Sequence, residues 1–507
     1  MARALSQQLA KQGQLISALL APNLYPHPVK KVRVIETHIS WILLAGRYAY
    51  KIKKALNLGF INTATLKSRQ LDCAEEIRLN RRLAANLYLE VVSIGGSHTH
   101  PAWGVRPTIE YAVKMRRFAS FNTWERLIVK DKISAQHIDE LANTLAHFHM
   151  SRPPSKLASS AEFSEGIHKL LTQNFSQLSS LLNETQDAST LAALQHSSEQ
   201  LFSRHRQHIE ARHTQGFIRE CHGDLHLGNI ALIDKQATPF DCIDFNPVLR
   251  HIDVMDEVAF VYMDLLHHLH EPLAHRFLNT YLEVTGDYAG VTLLNLYTVY
   301  RATVRAKISA INASQASNNT HKKLRAIATC RDYLSLASAT HARPQLIITH
   351  GLPGSGKSTF AQTALEKLGA IRLRSDVERK RMFGLSALER SKPEQDIYTP
   401  EATQRTYAHL LSTARTLLNA GHSVIVDAAF LKHSEREMFK ALTDELEVTF
   451  AIASMQADTA TLRARIIQRQ RITKDASEAG LEVLNMLSKV QEPLTAAELH
   501  HCLNLAN

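Results

Sequence analysis

Gln345–Thr359 reads Q-L-I-I-T-H-G-L-P-G-S-G-K-S-T, an apolar run that ends in a glycine-rich turn ahead of a helix-forming sequence. Gly351, Gly356, Lys357 and Ser358 satisfy G-x-x-x-x-G-K-[ST] in the order strand, loop, helix. Small residues at Gly354 and Ser355 let backbone N–H groups curl around a phosphate, and the helix N-terminus, with Thr359, adds positive potential. Lys357 can neutralise the outer phosphates, and the Ser358 hydroxyl can ligate Mg²⁺. The stretch reads as a nucleotide site on a parallel α/β sheet.

Working outward, Ile371–Ser375 reads as a second strand, followed by Asp376 and Arg379 in D-x-x-R spacing. One helical turn separates the two, so a general base and an acceptor-orienting guanidinium could share a face; an i,i+3 surface ion pair is the plain alternative. Ser423–Val426 reads as a third strand ending at Asp427, which could support the Mg²⁺ shell. Arg465 and Arg469, at i,i+4 in Leu462–Arg471, could close over the phosphates, or could be an ordinary solvated helix face. Together these features resemble the small-molecule and polynucleotide kinase branch of the P-loop fold, which includes gluconate-kinase-like, polynucleotide 5′-kinase and zeta-toxin-like enzymes. The resemblance covers His341 to about Leu494 and implies ATP as donor with Mg²⁺. No arrangement of sensor or finger residues favours a ring-forming mechanical ATPase.

A second constellation lies upstream, His222-Gly223-Asp224-Leu225-His226-Leu227-Gly228-Asn229. It is followed by a short apolar strand, Ile230–Ile233, and by a second, Phe240–Phe245. An Asp five residues before an Asn, with another Asp beyond a hairpin, is how kinase-like folds build phosphoryl transfer. Asp224 would accept the hydroxyl proton, and Asn229 and Asp244 would hold Mg²⁺. Strand alternation puts Asp241 and Asp244 on opposite faces, and Asp244 is the one expected in the site. A zinc or iron site on His222, Asp224 and His226 is the alternative. Tyr48-Ala49-Tyr50-Lys51 supplies the strand lysine, with Lys53 on the same face as fallback, and Glu76 is its expected helix partner in preference to Glu75.

H-G-D-x-H-x-x-N-I with a following I-D-F resembles the aminoglycoside phosphotransferase and choline kinase family. The resemblance covers about residues 30–335 and implies a protein-kinase-like fold with a large helical lobe. It departs from protein kinases in lacking G-x-G-x-x-G; Gly46 alone marks the hairpin turn. Asp253 and Asp256 resemble that family's acidic pair and are expected to cap a helix or support the catalytic loop. The whole resembles proteins labelled bifunctional aminoglycoside phosphotransferase/ATP-binding protein.

At about 100–200 residues per domain, 507 residues fit two or three domains, and the motifs make two: 1–340 and 341–507, divided near Thr340–Pro344. The expected class is α/β and α+β: a small mixed sheet and helical lobe, then a parallel sheet. Leu66–Ala85, Ala135–Met150, Ser160–His213 and Asp253–Ala339 read as helical. Five scattered cysteines without a C-x-x-C pair suit a reducing compartment, and no apolar run approaches a membrane span of about 20 residues. A cytoplasmic setting is expected, without membrane association. The net charge of +11 resides mostly in the first 340 residues, at +9, which disfavours polycationic acceptors such as aminoglycosides. Only a local stripe would favour nucleic acid, and Arg301, Arg305, Lys307, Lys322, Lys323, Arg325 and Arg331 are the candidates. The expected function is transfer of the ATP γ-phosphate to a small-molecule hydroxyl at two sites. The alternatives are one nucleotide-sensing domain, or a kinase of nucleic-acid ends.

Overall fold

A computed structural model describes residues 2–57, 62–182, 184–316, 319–339, 343–392, 395, 397–472 and 476–504, so the boundary expected at Thr340–Pro344 falls partly outside the described residues. The chain forms two compact units. One comprises Met1–His137, Ser151–Ser159 and His213–Glu257; the other comprises Ile138–Met150, Ser160–Arg212 and Val258–Asn507.

In chain order the elements begin with helix α1 (Ala2–Ala18), β1 (Val32–Glu36), β2 (Ser40–Ala45), β3 (Tyr48–Lys53), α2 (Leu66–Ala84), β4 (Tyr88–Gly96), β5 (Pro101–Trp103), β6 (Thr108–Arg116) and α3 (Trp124–Ile128). The six strands form one sheet in the order β1-β2-β3-β6-β4-β5. Every pairing in it is antiparallel, so the expected mixed sheet is corrected: short connections join β1 to β2, β2 to β3 and β4 to β5, and β6 inserts between β3 and β4. The β2–β3 hairpin turns at Gly46-Arg47, where the sequence places it. Leu15 and Leu19 at the C-terminal end of α1 pack with Leu43, Tyr50 and Ile52. Each such apolar side chain contributes about 1.5–3 kcal/mol when fully buried. Gln12, on the same helix, donates to the Lys53 carbonyl at 3.0 Å and to Glu110 at 2.7 Å, which fixes the end of β3. Helix α2 buries Cys73, Glu76, Leu79 and Asn80, whereas Leu71, expected on its apolar face, is exposed.

Helices α4 (Ala135–Ser151), α5 (Ser160–Leu181) and α6 (Thr185–Thr214) follow, matching the helical readings. The chain then forms β7 (Ile218–Glu220), β8 (Ile230–Ile233), β9 (Gln236–Pro239), β10 (His251–Asp253) and α7 (Val254–His267). The partner of β8 is β9, not Phe240–Phe245, which is irregular. Asp241 has a φ of +62°, a left-handed value that ends strand alternation there.

The second unit continues with α8 (Glu271–Thr285), α9 (Leu294–Gln315) and α10 (Thr320–Ala337). Phe175, Leu178, Phe260, Met263, Val299 and Tyr333 form the core of this helical region. The alternating segment is β11 (Gln345–His350), α11 (Lys357–Leu368), β12 (Ile371–Arg374), α12 (Ser375–Met382), α13 (Pro400–Asn419), β13 (Val424–Asp427), α14 (His433–Leu446), β14 (Thr449–Ser454), α15 (Thr459–Ile472), α16 (Leu481–Val490) and α17 (Ala496–Leu499). Its four strands are all parallel, in the order β12-β13-β11-β14, so the phosphate loop leaves a central strand.

The candidate basic stripe across α9 and α10 is largely engaged within the structure on α9. Arg301 is buried over Phe260, Arg305 lies over Tyr333, and Lys307 donates to Asn174 at 2.6 Å. Arg331 pairs with Asp187 and Glu184 at 2.9 and 2.6 Å. Lys322, Lys323 and Arg325 are the exposed members. Among the described residues no helix is long and apolar enough to cross a membrane.

Candidate functional site

In the first unit, β3 and α2 bring two lysines onto one carboxylate. Lys51 reaches Glu76 Oε1 at 2.9 Å and Lys53 reaches Oε2 at 2.8 Å, with the Glu76 side chain wholly buried. The partner helix residue is Glu76, and Glu75 instead pairs with Arg78 and Arg250. Lys51 also contacts Asp241 at 2.5 Å, and Lys53 is bonded to Asp244. Lys54 turns away to Glu36. Both aspartates therefore face the lysine pair, which corrects the expectation that only Asp244 would; the left-handed backbone at Asp241 brings it to the same side. Burial pushes the Glu76 carboxyl up, but the two lysines outweigh it and hold it well below the usual range. Burial also raises Asp244, to about 7, despite the opposing pull of Lys53. The Lys51 ammonium is depressed by burial and raised more by Asp241 and Glu76, so it stays charged.

Opposite this cluster, Asp224 is half-exposed and accepts from the Asn229 amide at 3.0 Å, with His226 Nε2 3.6 Å away. The turn before it needs Gly223, whose φ is +89°: a Cβ there would lie 2.7 Å from the Leu249 carbonyl oxygen. The Gly223 N–H donates to Glu257 at 2.7 Å. His222 is buried, with Nε2 2.9 Å from the Phe240 carbonyl and Nδ1 accepting from the Asp224 N–H at 3.3 Å. Both of its ring nitrogens are committed to backbone, so the zinc or iron reading fails. Asp253 caps α7 through the Met255 N–H at 2.9 Å, the role expected of it. Asn229 and Asp244 offer an amide and a carboxylate oxygen, a hard donor set that fits Mg²⁺.

In the second unit, the loop Gly351–Gly356 wraps the N-terminus of α11. Gly351 adopts a φ of +138°, and a Cβ would meet the Met455 carbonyl oxygen at 2.3 Å. Lys357 donates to the carbonyls of Gly351 and Leu352 at 2.8 Å each. Burial lowers its ammonium to about 8, against the pull of Asp427 and Asp376. The loop opens onto a cavity of about 1370 Å³ whose walls include Gly354, Ser355, Lys357, Ser358, Thr359, Asp376, Arg379, Asp427, Arg465 and Arg469. Asp376 is half-buried there, and among the described residues no ion pair joins it to Arg379. Arg379 is held instead by the Ile397 carbonyl at 2.9 Å, by Thr403 at 3.1 Å and by the face of Tyr398. Arg465 donates to the Gly354 carbonyl at 3.2 Å and Arg469 to the Ala479 carbonyl at 2.8 Å, which places both guanidinium groups beside the loop. Asp427 is buried, yet among the described residues its Oδ2 has no hydrogen-bond partner, only the Arg374 guanidinium at 3.8 Å, and it shares the cavity with the Ser358 hydroxyl. An orphaned buried carboxylate oxygen beside a hydroxyl fits an Mg²⁺ shell.

Residues 64–294 match the phosphotransferase enzyme family, and residues 346–494 match the AAA domain family. The chain thus carries a segment similar to phosphotransferase enzymes, called here the phosphotransferase-family domain, followed by one similar to the AAA domain. Uncharacterized proteins of Mycobacterium bovis and Mycobacterium tuberculosis are 28% identical to it over 461 residues, 89% of this chain and 89% of theirs. Among solved structures, a choline kinase from Cryptosporidium parvum Iowa II is 11% identical with a TM-score of 0.41, over 63% of this chain and 94% of that one. The amicoumacin kinase hAmiN, solved with AMP-PNP, Ca²⁺ and Ami, is 11% identical with a TM-score of 0.39, over 66% of this chain and 96% of that one. The architecture is an antiparallel sheet and a helical region followed by a four-stranded parallel sheet.

Sequence reasoning missed several residues around these sites. In the phosphotransferase-family domain these are Asp241, which strand alternation points away from the site, and Glu257, which no motif distinguishes from Asp253 and Asp256. In the AAA domain, Tyr398, Thr403 and Glu435 line the cavity from α13, α14 and the loop before α13. No local motif marks them, because only the parallel sheet order brings α13 and α14 to the loop.

Proposed function

We propose that both domains transfer the γ-phosphate of ATP to hydroxyl groups of small molecules, in a reducing, cytoplasmic setting. The observation that carries this reading is the second site, where half-buried Asp376 and Lys357 line one cavity with the oxygen donors Ser358 and Asp427; the first site supplies the same residue types in half-exposed Asp224, buried Lys51, Asn229 and Asp244. In the first domain, which we delimit as residues 1–340, Asp224 accepts the acceptor's hydroxyl proton, with Asn229 and His226 orienting its carboxylate. Lys51, set by Glu76, engages the phosphates, and Asn229 and Asp244 would hold Mg²⁺. In the second, residues 341–507, the loop N–H groups and Lys357 bind the phosphates, Asp376 takes the proton, and Arg379 orients the acceptor. Ser358 and Asp427 would hold Mg²⁺ there, and Arg465 and Arg469 cover the phosphates. When bound, Mg²⁺ neutralises charge that builds on the transferring group.

Arg301, Arg305 and Lys307 are engaged by Phe260, Tyr333 and Asn174 and exposed Arg331 is paired with Asp187 and Glu184, which weakens the basic stripe and favours small molecules over a nucleic-acid acceptor. The test is a radiolabelled-ATP transfer screen over sugars, nucleosides, aminoglycosides and RNA ends with wild type, Asp224→Asn and Lys357→Ala. Each variant should abolish transfer to one acceptor class and spare the other. A variant that leaves every transfer intact would make its domain a nucleotide-sensing module instead.

A further inference from the structure

The cavity in front of the phosphate loop is larger than one substrate needs. At about 1370 Å³ it exceeds the roughly 300–1,000 Å³ of a site for a single small molecule. The loop, Lys357 and Arg465 occupy one side of it. The other side is a continuous ledge that starts at Arg379. Thr403 on α13 accepts from Arg379 at 3.1 Å, and Tyr407 follows one turn later on the same face. Glu435 on α14 stands beside Tyr407, and Met438 extends the ledge along α14. The ledge is thus contiguous with the residues that face the acceptor. All of these groups lie in one compact unit.

Helix α16 completes this wall, and its apolar residues fall on two stripes. Leu481 and Leu484 pack with Leu462 and Ile466 of α15. Val483, Met486, Leu487 and Val490, spaced i, i+3, i+4 and i+7, line the cavity instead. Met486 and Val490 are 58% and 46% exposed there, and Met438 across from them is 39% exposed. The first stripe is enough to seat the helix. The second gains nothing from folding and is covered only when a ligand lies on it. Methionine supplies two of its exposed members, with an unbranched thioether chain that adapts to irregular apolar shapes. This uncharged face suits neither a chain of phosphates nor a bare sugar, whose hydroxyls it would leave unpaired.

We propose that the acceptor of the AAA-domain site is an alcohol with an aromatic or aliphatic body, which lies against Met438, Met486 and Val490 while its hydroxyl faces Asp376. In the transfer, the hydroxyl oxygen bonds to the γ-phosphorus, and the bond from that phosphorus to the β–γ bridging oxygen breaks. The proton goes to Asp376, and ADP leaves. This inference rests on the reading of the domain as an ATP-dependent phosphotransferase.

The experiment uses the full-length chain, radiolabelled ATP with Mg²⁺, and alcohols paired so that each pair differs in an apolar group: methyl and phenyl glycosides, ribose and adenosine, glycerol and its phenyl ether. Only transfer that Lys357→Ala abolishes is followed. The more apolar member of a pair should be the better acceptor, by about 10-fold or more in kcat/KM. Met486→Ser and Val490→Ser should each raise the KM for that acceptor by about 10-fold, while the KM for ATP stays as in wild type. Leu499→Ser is the control: Leu499 is 58% exposed on α17, away from the cavity, and its loss should change neither KM. Equal use of both members of every pair, or an acceptor KM that ignores Met486→Ser and Val490→Ser, would overturn the proposal. A raised KM for ATP in those variants would assign the wall to the adenine base and overturn it as well. The absence of any Lys357-dependent transfer would instead overturn the phosphotransferase reading of the domain, and this inference with it.

Discussion

At the scale of single residues, the first site has two buried lysines where the sequence pattern asks for one. Their second partners separate their roles. Lys53 shares buried Asp244, whereas the Asp241 partner of Lys51 is half-exposed and can be hydrated once Lys51 is gone. Lys53→Met leaves a buried carboxylate unpaired and should cost about 3–5 kcal/mol in urea unfolding. Lys51→Met should cost clearly less stability while removing transfer from that domain. Equal costs would mean the pair acts only as a structural cluster. At the second site, Lys357 has its ammonium lowered to about 8 by burial, so its positive charge is full below that pH and lost as pH rises through it. The Lys357-dependent component of nucleotide binding should therefore be flat from pH 6 to 7 and weaken above about pH 8, by up to tenfold per unit. Affinity that stays constant to pH 9.5 would contradict this.

At the scale of elements, the sequence was most legible where chemistry and backbone are local. The hairpin that presents Lys51, the strand–loop–helix around Gly351 and the turn at Gly223 all follow from neighbours in the chain. Gly351→Ala should abolish nucleotide binding at the AAA domain while far-UV circular dichroism stays unchanged, because a Cβ at 2.3 Å from the Met455 oxygen forces the loop open, a local backbone shift that leaves the helices and strands in place. The reading failed where a long-range partner overrode a local pattern. Phe240–Phe245 has strand-like alternation, yet Asn80 captures the Cys242 N–H and Tyr88 the Asp241 N–H, which leaves no ladder to join. The arginines of α9 and α10 look like a docking stripe in one dimension, but Phe260, Tyr333 and Asp187 lie under them in three.

At the scale of the molecule, compactness and motif content divide the chain at different places. The motifs place a join near residue 340, while the helical region from Val258 and the parallel sheet form a single compact unit. Asn279, Arg276 and His275 tie α8 to α11 and β12 by direct hydrogen bonds, so these parts should melt together. Differential scanning calorimetry should show α8 and the parallel sheet unfolding in one transition, shifted upward by a nucleotide bound at Lys357. Hydrogen exchange that opens the sheet with α8 still protected would refute this. Glu283 illustrates why no reading of either motif alone finds such a tie: it is an ordinary helix-surface acid until β12 is laid beside it.

That last turn of α8 also constrains how the gene can change. A lineage that lost the activity proposed for the first domain could let Asp224 and Asn229 drift, but it could not discard the helical lobe, because Asn279 and Glu283 of α8 hold the start of β12. Decay of one enzyme would leave its helices retained as scaffolding for the second, and a chain with a worn catalytic loop and an intact Glu283 would be the record of that history.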